Sequence, residues 1–134
     1  MLKFGYTSWV SNVDVLNQFL PRLEQDKLMG TTCKKCGERY FPPRLECRCG
    51  SKEVEWVDLP RKGKLLSYTF VTFAPESMAK HVPYIVGVAE LDGGPRILSH
   101  LIGVAPGSLK VGMPVQVVID KIPPDRIVYK MKPA

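Results

Sequence analysis

No stretch of this 134-residue chain approaches the roughly 18 to 20 consecutive apolar residues that a membrane-spanning helix needs. An apolar leader is missing as well. Met1 to Tyr6 is short and carries Lys3, so the expected location is the cytoplasm. There is no charged tail and no long run of one sign. The net charge of +6 is spread evenly, with eight basic and five acidic residues in 1–50 and eleven and eight in 51–134. Histidine is scarce: His81 and His100 are the two copies, and neither stands in a pattern with a nucleophile and an orienting group. No repeat or low-complexity segment occurs. Taken together, these absences argue against a membrane protein, a basic-tailed nucleic-acid binder and a histidine-based transferase.

What is present is a set of four cysteines confined to one stretch. Cys33-Lys34-Lys35-Cys36-Gly37 has the two-residue spacing of a zinc knuckle, and Cys47-Arg48-Cys49-Gly50 is one residue short of it. Two such pairs separated by about 10 to 20 residues can wrap four thiolates around one tetrahedral ion. Gly37 lets backbone amides turn toward the sulfurs without a Cβ clash. A rubredoxin-type iron site uses the same ligand set, and two disulfides would suit a secreted protein. A redox pair should open a helix after a buried strand, whereas Cys36 runs into Gly37 and then Pro42-Pro43. Structural zinc held by Cys33, Cys36, Cys47 and Cys49 is the favoured reading. If all four hold metal, no thiol is left for thioester chemistry.

Periodicity orders the remainder. Asn12 or Asp14 can cap a helix with Val15, Leu16, Phe19 and Leu20 on one face. Pro21 either ends that helix or starts another turn. Strands are expected leading into and out of the first knuckle, and at Glu53 to Val57, where charged and apolar residues alternate. Leu59 to Gly63 reads as a link. From Lys64 onward the chain reads as β, with strands at Leu65–Phe73, Tyr84–Leu91, Arg96–Leu101, Val115–Ile119 and Ile127–Met131. Asp92-Gly93-Gly94-Pro95 turns the second into the third, and Pro106 to Leu109 makes one helical turn. Five strands with that turn between the third and fourth predict a small OB-type barrel. The fold class is mainly β: a short N-terminal helical segment and zinc ribbon at 1–59, then a five-stranded OB-fold barrel at 60–134.

This order of parts, with Tyr40-Phe41-Pro42-Pro43-Arg44 beside the knuckles, Pro83 to Val86, Glu90 to Arg96 and Gly112-Met113-Pro114-Val115, resembles a known family. It is that of the archaeal and bacterial acyl-CoA-associated OB-fold proteins with a rubredoxin-like zinc ribbon, long labelled a domain of unknown function. The resemblance covers nearly the whole chain. It implies a non-catalytic accessory protein that binds acyl-CoA or scaffolds thiolase-superfamily enzymes: thiolases, hydroxymethylglutaryl-CoA synthase and lipid-transfer-protein-like aldolases. The short Cys47-Arg48-Cys49 knuckle departs from the family's usual spacing and could strain the metal site.

An acyl-CoA site needs cations for phosphate and apolar walls for the pantetheine arm. Arginine suits phosphate because its planar guanidinium donates two parallel hydrogen bonds. The candidate cations are Arg44, Arg61, Lys62 and Lys64, and the candidate walls are Phe41, Tyr68, Phe70 and Phe73. Each also has a plain reading as linker charge or barrel packing. The competing function is single-stranded nucleic-acid binding, since OB barrels stack bases on exposed aromatics. Against it, Ile85-Val86-Gly87-Val88 and Ile97-Leu98-Ser99 carry no aromatic residue.

Overall fold

The computed structural model describes residues 2–6, 14–123 and 125–134. Among the described residues, the architecture is two sheets, one α-helix and two short 3₁₀ turns. Helix α1 (Asp14–Glu24) buries Phe19, Leu20 and Leu23, the face that its apolar spacing predicts. Asp14 in the first turn and Arg22 in the last complement the helix dipole. The possible cap Asn12 lies outside the described residues. Pro21 neither ends nor restarts the helix but sits within it, so Leu23 stays on the buried stripe with Leu20.

The ribbon is a three-stranded antiparallel sheet of β2 (Met29–Cys33), β3 (Arg39–Tyr40) and β4 (Val54–Asp58), with β2 in the centre. Gly30 is required there, because a Cβ would stand 2.3 Å from the Tyr40 carbonyl oxygen. Thr31, fully buried, donates from Oγ1 to the Arg44 carbonyl at 2.7 Å and accepts the Arg44 amide at 3.0 Å. One hydroxyl therefore pins the turn that follows Pro42-Pro43.

The barrel comprises β5 (Lys62–Val71), β6 (Tyr84–Leu91), β7 (Arg96–Leu101), β8 (Pro114–Ile122) and β9 (Arg126–Pro133). Their ring order is β5-β6-β7-β9-β8 and back to β5, with β7 and β9 parallel. This is the expected five-stranded closed barrel. A short 3₁₀ turn at Pro106–Ser108 stands between β7 and β8 as expected, and a second, at Glu76–His81, lies between β5 and β6. Inward residues alternate along each strand, giving a core of Leu65, Ala89, Leu91, Ile97, Leu101, Val115, Val117, Ile127 and Met131. The sequence did not announce β1 (Lys3–Phe4), which pairs in parallel with Arg126 and Ile127 of β9.

The β5 register shifts between Leu65 and Ser67. Such a bulge moves every later side chain to the opposite face. Before it, Lys62 and Lys64 point outward. After it, Tyr68 pairs with Gly87 and Phe70 with Ile85, so the same parity faces the barrel's inner side. Because β8 pairs with β5 only at Lys62–Lys64, the rest of β5 overhangs the rim with β6.

Candidate metal centre and barrel rim

Cys33 ends β2 and Cys36 lies on the turn after it. Cys47 and Cys49 come from the loop ahead of β4. Gly37 and Gly50 follow the two pairs with φ of 78° and 91°, left-handed conformations that favour glycine. All four sulfurs lie within 4.8 Å of one another. The Cys36–Cys47 and Cys33–Cys49 sulfur distances are 3.3 and 3.8 Å. Zinc–sulfur bonds of about 2.3 Å in a tetrahedron place sulfurs about 3.8 Å apart, so this cage has the size of one such ion.

Electrostatics point the same way. The Cys36 amide pulls the Cys33 thiol below its ordinary value. The Cys49 amide, then the Tyr40 hydroxyl, bring Cys47 down to about 6. At Cys36 the Glu38 amide acts downward, but the Cys47 sulfur, burial and the other two sulfurs prevail and push it up to about 12. At Cys49 the Ser51 amide is likewise outweighed by Cys47, burial and Cys33, and the thiol is raised. Four thiols this close resist joint ionisation unless a cation compensates them. The donor set fits a closed four-sulfur metal site with no open coordination position.

The candidate cations separate into two kinds. Arg44 is exposed, with its guanidinium carbon 4.9 Å from the centre of the Tyr40 ring. Arg61 is engaged, bonding the Asp26 carboxylate at 3.4 Å and the Asp26 carbonyl, so it ties the β4–β5 link to the turn after α1. Lys62 and Lys64 are exposed on β5.

The candidate walls divide likewise. Phe41 is 8% exposed and packs edge-on against Phe19 and Tyr129 at 6.0 and 5.1 Å. That position is a seam between ribbon, helix and barrel. Tyr68 and Phe70 touch edge-on at 6.2 Å and are 37% and 44% exposed, and Phe73 is 94% exposed. Tyr68 and Phe70 form an apolar pair on the overhanging part of β5, and Phe73 stands exposed in the loop after it.

One cluster had no sequence signal. Tyr6 stacks on His100 at 4.5 Å, His100 stacks on Tyr84 at 4.4 Å, and His81 meets Tyr6 edge-on at 5.4 Å. These residues line neighbouring clefts of about 270 and 290 Å³. Burial pushes the Tyr6 hydroxyl up, aided by Asp120 and Tyr129. Burial also pulls His100 down, helped by Lys130 and His81. Tyr6 Oη and His81 Nε2 are buried without a hydrogen-bond partner among the described residues.

Residues 22–55 match the rubredoxin-like zinc ribbon domain of ChsH2, and residues 56–120 match the ChsH2 C-terminal OB-fold domain. A DUF35 domain-containing scaffold protein from Methanocaldococcus jannaschii is 37% identical over 114 residues, covering 79% of this chain and 81% of that one. The chain belongs to the DUF35 family. The benzoylsuccinyl-CoA thiolase subunit BbsA of Thauera aromatica is 35% identical to this DUF35 protein, over 74% of the chain and 67% of BbsA. Among solved structures, the Ltp2-ChsH2(DUF35) aldolase contains a similar chain. It superposes with a TM-score of 0.78 at 28% identity, covering 92% of this DUF35 protein and 96% of the other chain. No helix among the described residues of the DUF35 protein is long and apolar enough to cross a membrane.

Proposed function

We propose that this DUF35 protein is a cytoplasmic, non-catalytic accessory subunit that binds acyl-CoA and holds a thiolase-superfamily enzyme in place. The observation that carries the reading is the overhanging β5, where Tyr68 and Phe70 stand exposed in edge-on contact, with Phe73 exposed two residues past the strand's end. Apolar rings gathered at a rim mark a surface made for a partner or a ligand's apolar arm. Lys62 and Lys64 on the same strand, and Arg44 beside the ribbon, supply cations for the phosphates of CoA. A relative that is a CoA thiolase subunit supports the choice of partner.

In this reading the chain makes and breaks no bond. Cys33, Cys36, Cys47 and Cys49 hold one structural zinc, which fixes the ribbon and leaves no thiol to act as nucleophile. The helix and ribbon at 1–59 and the barrel at 60–134 then present two surfaces, one beside Arg44 and one at the rim. The role is positional: the bound acyl-CoA and the enzyme's site are kept together.

The test is a pull-down with the tagged protein, washed at low and high salt, followed by calorimetric titration with acetyl-CoA. Recovery of a CoA-condensing enzyme that survives high salt, and is lost in Phe70→Asp, is the expected result. Exposed rings and lysines on one strand would also suit single-stranded nucleic acid, whose binding weakens steeply with salt. Recovery of nucleic acid alone, released as salt rises, would overturn the accessory-subunit reading.

A further inference from the structure

The shortened knuckle raises a specific chemical problem. In Cys33-Lys34-Lys35-Cys36, the amides of Cys36 and Lys35 both act on the Cys33 sulfur, the former at 3.5 Å. In Cys47-Arg48-Cys49 a single residue separates the ligands, and the Cys49 amide reaches Cys47 Sγ at 3.5 Å. The Ser51 amide serves Cys49, and Cys47 Sγ receives no second backbone donor among the described residues. Thiolate ligands depend on such outer hydrogen bonds to hold their orientation and share their charge.

Tyr40 stands where that donor should be. Its hydroxyl lies 3.3 Å from Cys47 Sγ and accepts the Arg48 amide at 3.1 Å. A phenolic hydroxyl has one proton to give. Two acceptors compete for it, Cys47 Sγ and Glu38 Oε2, the latter at 3.2 Å. Glu38 already receives Arg48 Nε at 2.7 Å. Glu38 thus has a charged donor of its own, whereas Cys47 Sγ has a single backbone amide, and on that ground we assign the hydroxyl proton to the sulfur. The Arg48 amide, unable to serve the cage as a third-residue amide would, is relayed through the hydroxyl.

We infer that Tyr40 is a positioning residue of the metal centre, its hydroxyl standing in for the residue absent between Cys47 and Cys49. The strand pairing explains how it gets there. Tyr40 is paired with Thr31, the buried residue that also pins the turn at Arg44. The ring is clamped further by the Arg44 guanidinium over its face. A side chain from β3 thereby closes a loop that the loop's own backbone leaves open. The inference rests on the reading that the cage holds a metal ion.

Cobalt(II) titration of the reduced chain separates the two. Cobalt bound by four thiolates gives an intense sulfur-to-metal band, and binding and folding of such a ribbon are one equilibrium. A variant that cannot fold without metal is therefore still measured by the cobalt needed to fold it. Four chains are compared: the natural one, Tyr40→Phe, a chain with glycine inserted between Arg48 and Cys49, and the two changes together. The expected result is a roughly 10- to 100-fold weaker affinity for Tyr40→Phe at the natural spacing, with a shifted band. In the inserted chain the same substitution should cost less than about threefold, because the restored residue supplies its own amide. Equal losses at both spacings, or no loss at either, would overturn the role assigned to Tyr40 while leaving the metal site standing. Absence of the band in the natural chain would overturn the metal reading and this inference with it.

Discussion

Phe19 of α1 and Trp56 of β4 lie nearly parallel, with ring centroids 6.5 Å apart and planes 13° from each other. The same Phe19 ring meets Phe4, Phe41 and Tyr129 edge-on at 6.0, 6.0 and 6.4 Å. One helical side chain thus touches the ribbon on one side and the barrel on the other. Arg22, one turn on, covers the Trp56 ring at 4.1 Å.

Phe19→Ala should therefore loosen the ribbon from the barrel as well as open a cavity. A loss of about 3 to 5 kcal/mol is expected for a buried phenylalanine. Chemical denaturation with Trp56 fluorescence checks it, and a change below about 1 kcal/mol would contradict the wedge role.

Removing metal should affect the ribbon first. With a strong chelator, the segment from Cys33 to Val54 is expected to lose amide protection while β6 and β7 keep theirs, since the barrel core is built without the ribbon's thiols. Hydrogen exchange read by mass spectrometry tests this. Simultaneous loss across both parts would show that the barrel cannot stand without the ribbon.

His100 gives a pH signature. Its folded pKa is lowered by burial, Lys130 and His81, so the unfolded chain binds the proton more readily. Stability is full above the unfolded value of about 6.5 and falls as pH drops from there toward the lowered folded value. The charged and titratable groups that face His100 from other elements are Lys130 on β9, ion-paired at 2.8 Å with Asp120 on β8, and His81 in the turn before β6. His100→Gln should flatten the decline in thermal midpoint between pH 7 and pH 5, and an unchanged slope would assign it elsewhere.

Arg44→Ala should weaken CoA binding about tenfold, equal to about 1.4 kcal/mol, without altering the fold. The side chain is exposed, and the turn is held through its backbone by Thr31. Calorimetry with acetyl-CoA reads the affinity and circular dichroism reads the fold. Unchanged affinity would remove Arg44 from the phosphate site.

The residues that made the fold legible were those with local, repeating signals. Val86, Val88 and their neighbours form a β-branched run closed by Asp92-Gly93-Gly94-Pro95, and β6 and β7 fall where that pattern places them. The cysteines were legible by spacing. What stayed hidden depended on distant pairing. Lys3–Phe4 is too short to show a period, and its pairing with Arg126–Ile127 spans almost the whole chain. The Tyr6–His100–Tyr84 stack follows from that pairing, so two histidines that look isolated in sequence come together around one tyrosine. The bulge at Leu66 was equally silent, because nothing in Leu65-Leu66-Ser67 distinguishes an extra residue from a regular one. It alone decides that Tyr68 and Phe70 face the rim's inner side. Phe41 sits in the aromatic seam because α1 folds back onto both sheets, a long-range arrangement.

The pairing of β1 with β9 also alters how the chain can be divided. The barrel sheet takes a strand from ahead of the helix and ribbon, and its other strands come from behind them. Topologically, the cysteine-bearing region is an insertion within one sheet's connectivity. A fragment beginning at residue 60 would leave the Arg126–Ile127 edge of β9 uncovered, with the Gly5 amide bond to the Ile127 carbonyl lost. Severing the chain at the ribbon therefore costs the barrel a piece of itself, and motion at the chain's start is mechanically linked to its last strand.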